Sequence, residues 1–350
     1  MRKFFMSFLV TIGVLIIFAG VAYAAFRIIV QPPDTADYVV VTRPVDPFDN
    51  TGGNASSGSG QNSGGANSNQ NSEPEILGIM TRRPEFHTFL VFGLDIFNNV
   101  DVAIVGSFNA QTQEVYLISI PRDTRLDVNR SIRKVSASFS LGRGPQRDNE
   151  RGITQLIADI HSLVGFEPDF YVMIDFRGFT RLVDSVGGVE ITVPFHMRYT
   201  DPAQNLFIDL PAGTRTLNGA QALNFVRYRN ADEGFRAITD FQRIENQQQM
   251  IASLLNELLS ARTITRVPEL IRNYQENVTT ELTLTEKLWF AAQLPGMSAE
   301  NLSTYTLPIA YTRRAGWYEM PDKEAILELV NRTVNPFTED ITEEMVRIAR

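Results

Sequence analysis

From Phe4 to Phe26 the chain carries no charged side chain. A helix over this run would be about 34 Å long at 1.5 Å per residue, enough to cross a bilayer core of about 30 Å. Arg2 and Lys3 precede it, which places the N-terminus in the cytoplasm. The sequence therefore predicts a single-pass anchor over residues 1–30 in the cytoplasmic membrane, with an extracytoplasmic remainder. Ala22-Tyr23-Ala24 also offers a small-x-small cleavage site, so a signal peptide is the alternative. The apolar run exceeds the usual length of such a peptide, which favours retention.

Residues 31–76 are predicted to be a flexible linker. Pro32-Pro33, Arg43-Pro44 and Asp46-Pro47 break regular structure in its first part. Residues 49–73 are almost wholly Asn, Gly, Ser and Gln, a composition that buries too little apolar surface to offset chain entropy. Such a tether spans roughly 25–30 Å on average.

The rest alternates strand and helix signals. Strands are predicted at His87–Phe92, Val102–Phe108, Val115–Ile120, Phe170–Asp175 and Val189–Val193. Helices are predicted at Ile153–Val164, at Phe179–Val186 and from Asn218 through Phe225. A longer one runs from Asp240 to Leu259, with Ile244, Ile251, Leu254, Leu255 and Leu258 facing inward. The interleaving predicts an α/β (α+β) domain, a central mixed sheet packed by helices on both sides. Its expected bounds are 77–335, with residues 336–350 left as a C-terminal tail.

Composition narrows the chemistry. The chain has no cysteine, so disulfides, thiolate metal sites and cysteine nucleophiles are excluded. Three histidines make a His-rich zinc site hard to build. A net charge of −8 argues against a nucleic-acid partner. There is no P-loop and no GxGxxG.

Four clusters carry candidate chemistry. Ser119-Ile-Pro-Arg-Asp-Thr124 ends an apolar strand and delivers Arg122 and Asp123 to the sheet's rim, where open sheets bind ligands. Arg227 and Arg229 stand at i, i+2; in an extended segment both would face one way, either toward a shared anion or as a solvated basic edge. Arg243 and Gln247 stand one helical turn apart, with Asp240 near the helix start, where a carboxylate can cap. Asp95 and Asp101 flank a predicted six-residue hairpin loop. They either form its turn or converge on a hard cation.

The order of these pieces resembles the LytR-CpsA-Psr family of cell-wall glycopolymer transferases. The stretches that carry the likeness are Phe92-Gly-Leu-Asp95, Leu117-Ile-Ser-Ile-Pro-Arg-Asp-Thr124 and Lys134-Val-Ser-Ala137, then Tyr171-Val-Met-Ile-Asp-Phe-Arg-Gly-Phe179 and Leu182-Val-Asp-Ser-Val-Gly-Gly-Val189. Leu217-Asn-Gly-Ala-Gln-Ala-Leu223, Val226-Arg-Tyr-Arg229 and Asp240-Phe-Gln-Arg243 with Gln247-Gln248 complete the set. The likeness is close over residues 86–260. It implies a phosphotransferase that moves a glycopolymer from an undecaprenyl (pyro)phosphate carrier to peptidoglycan, with polyprenyl pyrophosphatase activity as a related property. It also implies that Asp95 and Asp101 hold Mg²⁺ and that Arg122, Arg227, Arg229 and Arg243 clamp the pyrophosphate. Gln247 and Lys134 would assist, and Asp240 would orient Arg243 or activate the acceptor.

Family members usually carry an arginine after the first aspartate, an Arg-Ser-Asp before the second strand and an arginine where Asn246 stands. Here Ile96 follows Asp95 and Val100 precedes Asp101. Arg236 or Arg125 is the expected substitute. The departures leave open a non-catalytic, membrane-tethered protein that binds polyprenyl phosphate or wall. A transcriptional regulator is opposed by the anchor, its orientation and the acidic balance.

Overall fold

In this computed structural model the described residues are 30–47, 75–260, 278–294, 297–313 and 315–349. The apolar run at 4–26 and the Gly/Ser/Asn stretch at 49–73 lie outside them. Among the described residues no helix is long and apolar enough to cross a membrane.

The first strand corrects the linker boundary. β1 (Tyr38–Thr42) pairs antiparallel with β2 (Ile76–Thr81), with Val40 opposite Ile79. By chain order, the Gly/Ser/Asn stretch joins these two strands and does not precede the domain. Val41 and Met80 enter the main core, and Val30 packs with Phe108 and Trp289. Asp46 is buried against Arg130 at 3.2 Å. Proline and the low-complexity neighbour suggested a free chain, but the alternating Val39 to Val41 run finds a partner strand that local sequence cannot reveal. A fragment starting at residue 77 would lose β1.

β3 (Phe86–Leu94), β4 (Val100–Asn109) and β5 (Val115–Ser119) form an antiparallel meander. After α1 (Val135–Gly142) and α2 (Asn149–Val164), β6 (Phe170–Ile174) joins parallel to β3. The sheet is completed by β11 (Val278–Thr280) beside β6 and β12 (Leu302–Thr306) parallel to β5, giving the order β11-β6-β3-β4-β5-β12. Side chains alternate across it with the period of a strand. Leu90, Phe92, Ala103, Val105 and Ile118 pack against Phe139 of α1 and Leu156 and Ile160 of α2. Phe89 and Phe108 turn to the other face, toward Trp289 of α6 (Leu284–Gln293). A Cβ on Gly106 would stand 2.4 Å from the Phe89 ring, so glycine is required for that packing. Helices thus cover both faces of a mixed sheet.

A second core stands beside the first. α3 (Phe176–Val186) leads into the pairs β7 (Val189–Val193) with β10 (Gly213–Leu217) and β8 (Met197–Asp201) with β9 (Leu206–Leu210). With α4 (Gly219–Arg227) and α5 (Asp240–Leu258) they bury Val183, Ile191, Ile208, Phe225 and Tyr228. On α5 the buried residues are Arg243, Ile244, Asn246, Gln247 and Met250, while Ile251, Leu254, Leu255 and Leu258 are only half-buried. Amphipathic spacing holds for Ile244 and for Leu254 and Leu258, which pack against the second core, but it misses the buried polar side chains, because the N-terminal half of the helix is wedged between two cores.

The C-terminal segment is not a tail. Beyond α7 (Lys323–Thr333), Phe337, Ile341, Met345 and Ile348 are buried in the main core, and Leu126 bridges to Ile348. Gly165, at φ 82°, ends α2 and lies against Ile341.

Two histidines, His87 buried and His161 partly buried, predict an acid limit to stability. Burial pushes His161 down to about 4. Burial also lowers His87, opposed by Asp169, and His87 packs against Trp289 and Phe290. Each folded-state value lies below the unfolded one, so the unfolded chain takes up the protons first. The His161 contribution is complete above about pH 6.5 and is lost as pH falls toward 4, and His87 acts in the same direction. For His161, which keeps some solvent contact, the loss is about 2–3 kcal/mol. Urea unfolding at pH 7 and pH 4.5 checks this, and His161→Gln should flatten the difference.

Candidate functional site

The meander's register brings the first pair together. β4 and β5 align Ile104 with Ser119, and carrying that register outward sets Asp101 opposite Arg122. Arg122 Nη1 donates to Asp101 Oδ1 at 3.0 Å. Strand pairing therefore joins two residues from separate motifs.

α5 supplies the rest. Thr239 caps it through a reciprocal box with Gln242, which fixes the first turn. The cap is Thr239, and Asp240, the residue expected to cap, is the first helical residue. Asp240 and Arg243 share a face three residues apart and form an ion pair at 3.1 Å. Arg243 Nη1 also donates to Asp101 Oδ1 at 3.0 Å, and its side chain is only 6% exposed. Arg229 Nη2 reaches the other Asp240 oxygen at 3.3 Å, and Arg122 Nη2 stands 3.9 Å from the first. Two carboxylates thus hold three guanidiniums in one lattice. Burial opposes the Arg122 cation, but Asp101, Asp240 and Asp123 outweigh it and hold its pKa above the ordinary value.

Arg227 reaches the site differently from expectation. It closes α4, and Tyr228 is the cap, so Arg227 and Arg229 are not alternate residues of an extended segment. The helix ends there because Tyr228 is buried and its hydroxyl donates to Arg236 O. The Arg227 guanidinium lies 4.5 Å from the Phe176 ring centre and donates to Gln204 at 3.4 Å. Burial weakens its cation, while Asp101, Asp201 and Asp95 restore part of it.

A cleft of about 180 Å³ is lined by Asp95, Asp101, Arg122, Arg227, Arg229 and Arg243. Phe97, Phe176, Tyr199, Gln204, Leu206 and Asn230 complete its walls, and sequence reasoning had not singled them out. Tyr199 and Leu206 come from β8 and β9 and Gln204 from the turn between them, none of which matched a site motif, so only tertiary placement reveals them.

The remaining candidates separate. Lys134 Nζ donates to Asp123 at 2.8 Å and does not line the cleft. Gln247 Nε2 approaches Val226 O at 3.5 Å, while Gln248 Nε2 donates to Tyr305 O at 2.9 Å, tying α5 to β12. Arg125 lies over Tyr318 and Arg236 over Phe195, so neither replaces the arginines absent from the loop. Buried Asn246 Nδ2 finds no acceptor among the described residues.

Asp95 forms a turn. The loop is five residues, 95–99, and Asp95 Oδ1 accepts from Phe97 N and Asn99 N, both at 2.8 Å. Its Oδ2 accepts from Asn99 Nδ2. Among the described residues no three His, Cys, Asp or Glu side chains converge as a metal cage.

Residues 55–335 match the LytR_cpsA_psr family. The chain belongs to that family. Among its relatives is the polyisoprenyl-teichoic acid–peptidoglycan teichoic acid transferase TagV of Bacillus subtilis, 28% identical over 212 residues, 59% of this chain and 51% of TagV. The cell wall biosynthesis protein LcpA of Corynebacterium glutamicum is 28% identical over 243 residues, 63% of this chain and 45% of LcpA. These matches span about half the length of the relatives. The crystal structure of B. subtilis TagV superposes with a TM-score of 0.58 at 23% identity, over 71% of this chain and 96% of that one. The likeness confirms the family's mixed α/β fold.

Proposed function

We propose that the protein is a phosphotransferase that moves a glycopolymer from an undecaprenyl (pyro)phosphate carrier to peptidoglycan outside the cytoplasmic membrane. The observation that carries the reading is the lattice of Arg122, Arg229 and Arg243 on Asp101 and Asp240, at the wall of a cleft that Arg227 also lines. Preset guanidinium forks suit a pyrophosphate, because their donors do not reorganise as charge shifts in the transition state. In the reaction, the acceptor hydroxyl oxygen bonds to the phosphorus that bears the sugar. The bridging oxygen leaves with polyprenyl phosphate. A loose transition state asks little of a general base, so the hydroxyl proton is released as the new P–O bond forms and passes to the departing polyprenyl phosphate oxygen or to water. Both Asp240 oxygens face guanidiniums, which favours the orienting role over acceptor activation.

Two carboxylates lining one cleft fit Mg²⁺, a cation that takes one or two protein carboxylates and completes its shell with water and phosphate oxygens. Asp101 and Asp95 would hold it, and when bound it would neutralise phosphate charge. Because Asp95 also forms the turn, Asp95→Asn separates the roles. Asparagine keeps the Oδ1 acceptor, so stability should change by less than about 1 kcal/mol. The Mg²⁺ needed for half-maximal rate should rise at least about tenfold, since one ligand charge is lost.

The test uses the full chain in detergent with a polyprenyl-pyrophosphate-linked saccharide and peptidoglycan fragments, with and without Mg²⁺. Formation of the phosphodiester product, lost in Arg122→Ala, is expected. Carrier binding with no product at any Mg²⁺ concentration would replace this reading with the binding-only one.

A further inference from the structure

The cleft does not end at Phe97. Phe97 also borders a neighbouring hollow of about 420 Å³, whose other walls are Asn98, Ser140, Arg143, Gly144 and Arg147. We infer that this hollow is a second subsite, one that takes an acidic sugar residue of the glycopolymer whose pyrophosphate occupies the cleft.

Charge is the first argument. The lining holds two guanidiniums and no carboxylate. In the cleft, Arg122, Arg229 and Arg243 are paired with Asp101 and Asp240. Arg143 instead donates to the Arg147 carbonyl at 3.1 Å and lies over the Phe139 ring, and among the described residues neither it nor Arg147 meets a carboxylate. The nearby Asp148 carboxylate caps α2 through the Glu150 and Arg151 amides. Two uncompensated guanidinium forks beside each other suit a bound phosphate or carboxylate.

Shape is the second. The Phe97 ring is 66% exposed at the junction of the two cavities, where a sugar ring can cover it. Asn98 and Ser140 stand beside it with groups that bond hydroxyls.

Rigidity is the third. Asn98 (φ 63°), Gly144 (φ 60°) and Arg147 (φ 56°) all hold left-handed backbone, a strained state for arginine. Backbone bonds from Gly144 N to Leu141 O and from Asp148 N to Arg143 O close the turn. A Cβ on Gly152 would fall 2.7 Å from Arg143 Cγ, so glycine there gives the arginine stem its seat. Asn99 links the two walls, bonding Asp95 on one side and Ser140 on the other. The subsite is therefore preformed and joined to the pyrophosphate cleft.

This inference rests on the transferase reading for the orientation of the polymer, and the test separates the two. The full chain in detergent is titrated with bare polyprenyl pyrophosphate and with three soluble oligosaccharides of equal length: phosphodiester-linked, uronic-acid-containing and neutral. The parent is expected to prefer the acidic oligomers, and whichever acid binds more tightly identifies the natural anion. Arg143→Gln with Arg147→Gln, and Arg147→Gln alone at an exposed position, should weaken acidic-oligomer binding about tenfold or more and erase its salt dependence. Phe97→Ala should weaken all three oligomers. Circular dichroism shows that each variant is folded. Equal binding of the acidic oligomers by parent and folded double variant overturns the subsite, as does equal affinity of the parent for neutral and acidic oligomers. A parent that fails to bind the bare carrier overturns the cleft reading instead.

Discussion

Arg243→Ala is expected to reduce transfer about 10²–10³-fold, the range seen when one preset donor to a developing oxyanion is removed. The loss has two sources. Arg243 is the guanidinium that touches both carboxylates at close range, Asp101 at 3.0 Å and Asp240 at 3.1 Å. Its removal takes one fork from the anion and also frees Asp101 and Asp240 to draw Arg122 and Arg229 out of position. Arg243→Lys should not restore activity, because one ammonium cannot present two parallel donors to two acceptors. A single-turnover assay with saturating carrier measures the chemical step. A variant that keeps more than about a tenth of the parent rate would remove Arg243 from the site.

The largest effect on stability is expected at Arg130, which does not line the cleft. Its guanidinium stands 2.5 Å from Asp159 on α2 and 3.2 Å from Asp46 on the segment after β1, and both carboxylates are almost wholly buried. Arg130→Ala leaves two buried carboxylates without their cation, which costs about 3–5 kcal/mol. Burial already raises the Asp159 pKa, and Arg130 opposes that rise. Without Arg130 the folded-state value climbs further above the unfolded one. The folded variant therefore holds a proton that the unfolded chain has released. Its deficit is complete above the folded pKa and shrinks as pH falls through that value toward the ordinary carboxylate range. Urea titrations at pH 7.5 and pH 5 should show the gap to the parent narrowing in acid. Asp159→Asn in the Arg130→Ala background should recover part of the loss at pH 7.5, and no recovery would refute the buried-charge account.

Much of this architecture is legible locally. The apolar runs through His87–Phe92 and Val102–Phe108 mark two buried strands, and Asn218 and the Gly187-Gly188 pair mark helix ends, because caps and short apolar runs act over a few residues. Helix α5 shows the limit. Its period is readable, but the buried face depends on two cores that meet around its first turns, so Arg243 and Gln247 go inside while Leu255 stays half exposed. β1 shows the same limit, since pairing across thirty-odd intervening residues leaves no local trace.

The sequence by itself determined which charged residues could act and in what order they occur. Arg122 follows a strand that breaks at Pro121, Asp240 and Arg243 share a helix face, and the run of motifs names the family. Only the tertiary structure decided the pairings: Asp101 with Arg122 and Arg243, Asp240 with Arg229, Arg227 with Phe176, and Asp95 with its own loop. The reason is physical. Motif and propensity are properties of neighbours along the chain, whereas an ion pair depends on strand register and on the packing of two cores. Asp101 and Arg243 are 142 positions apart in sequence and 3.0 Å apart in space.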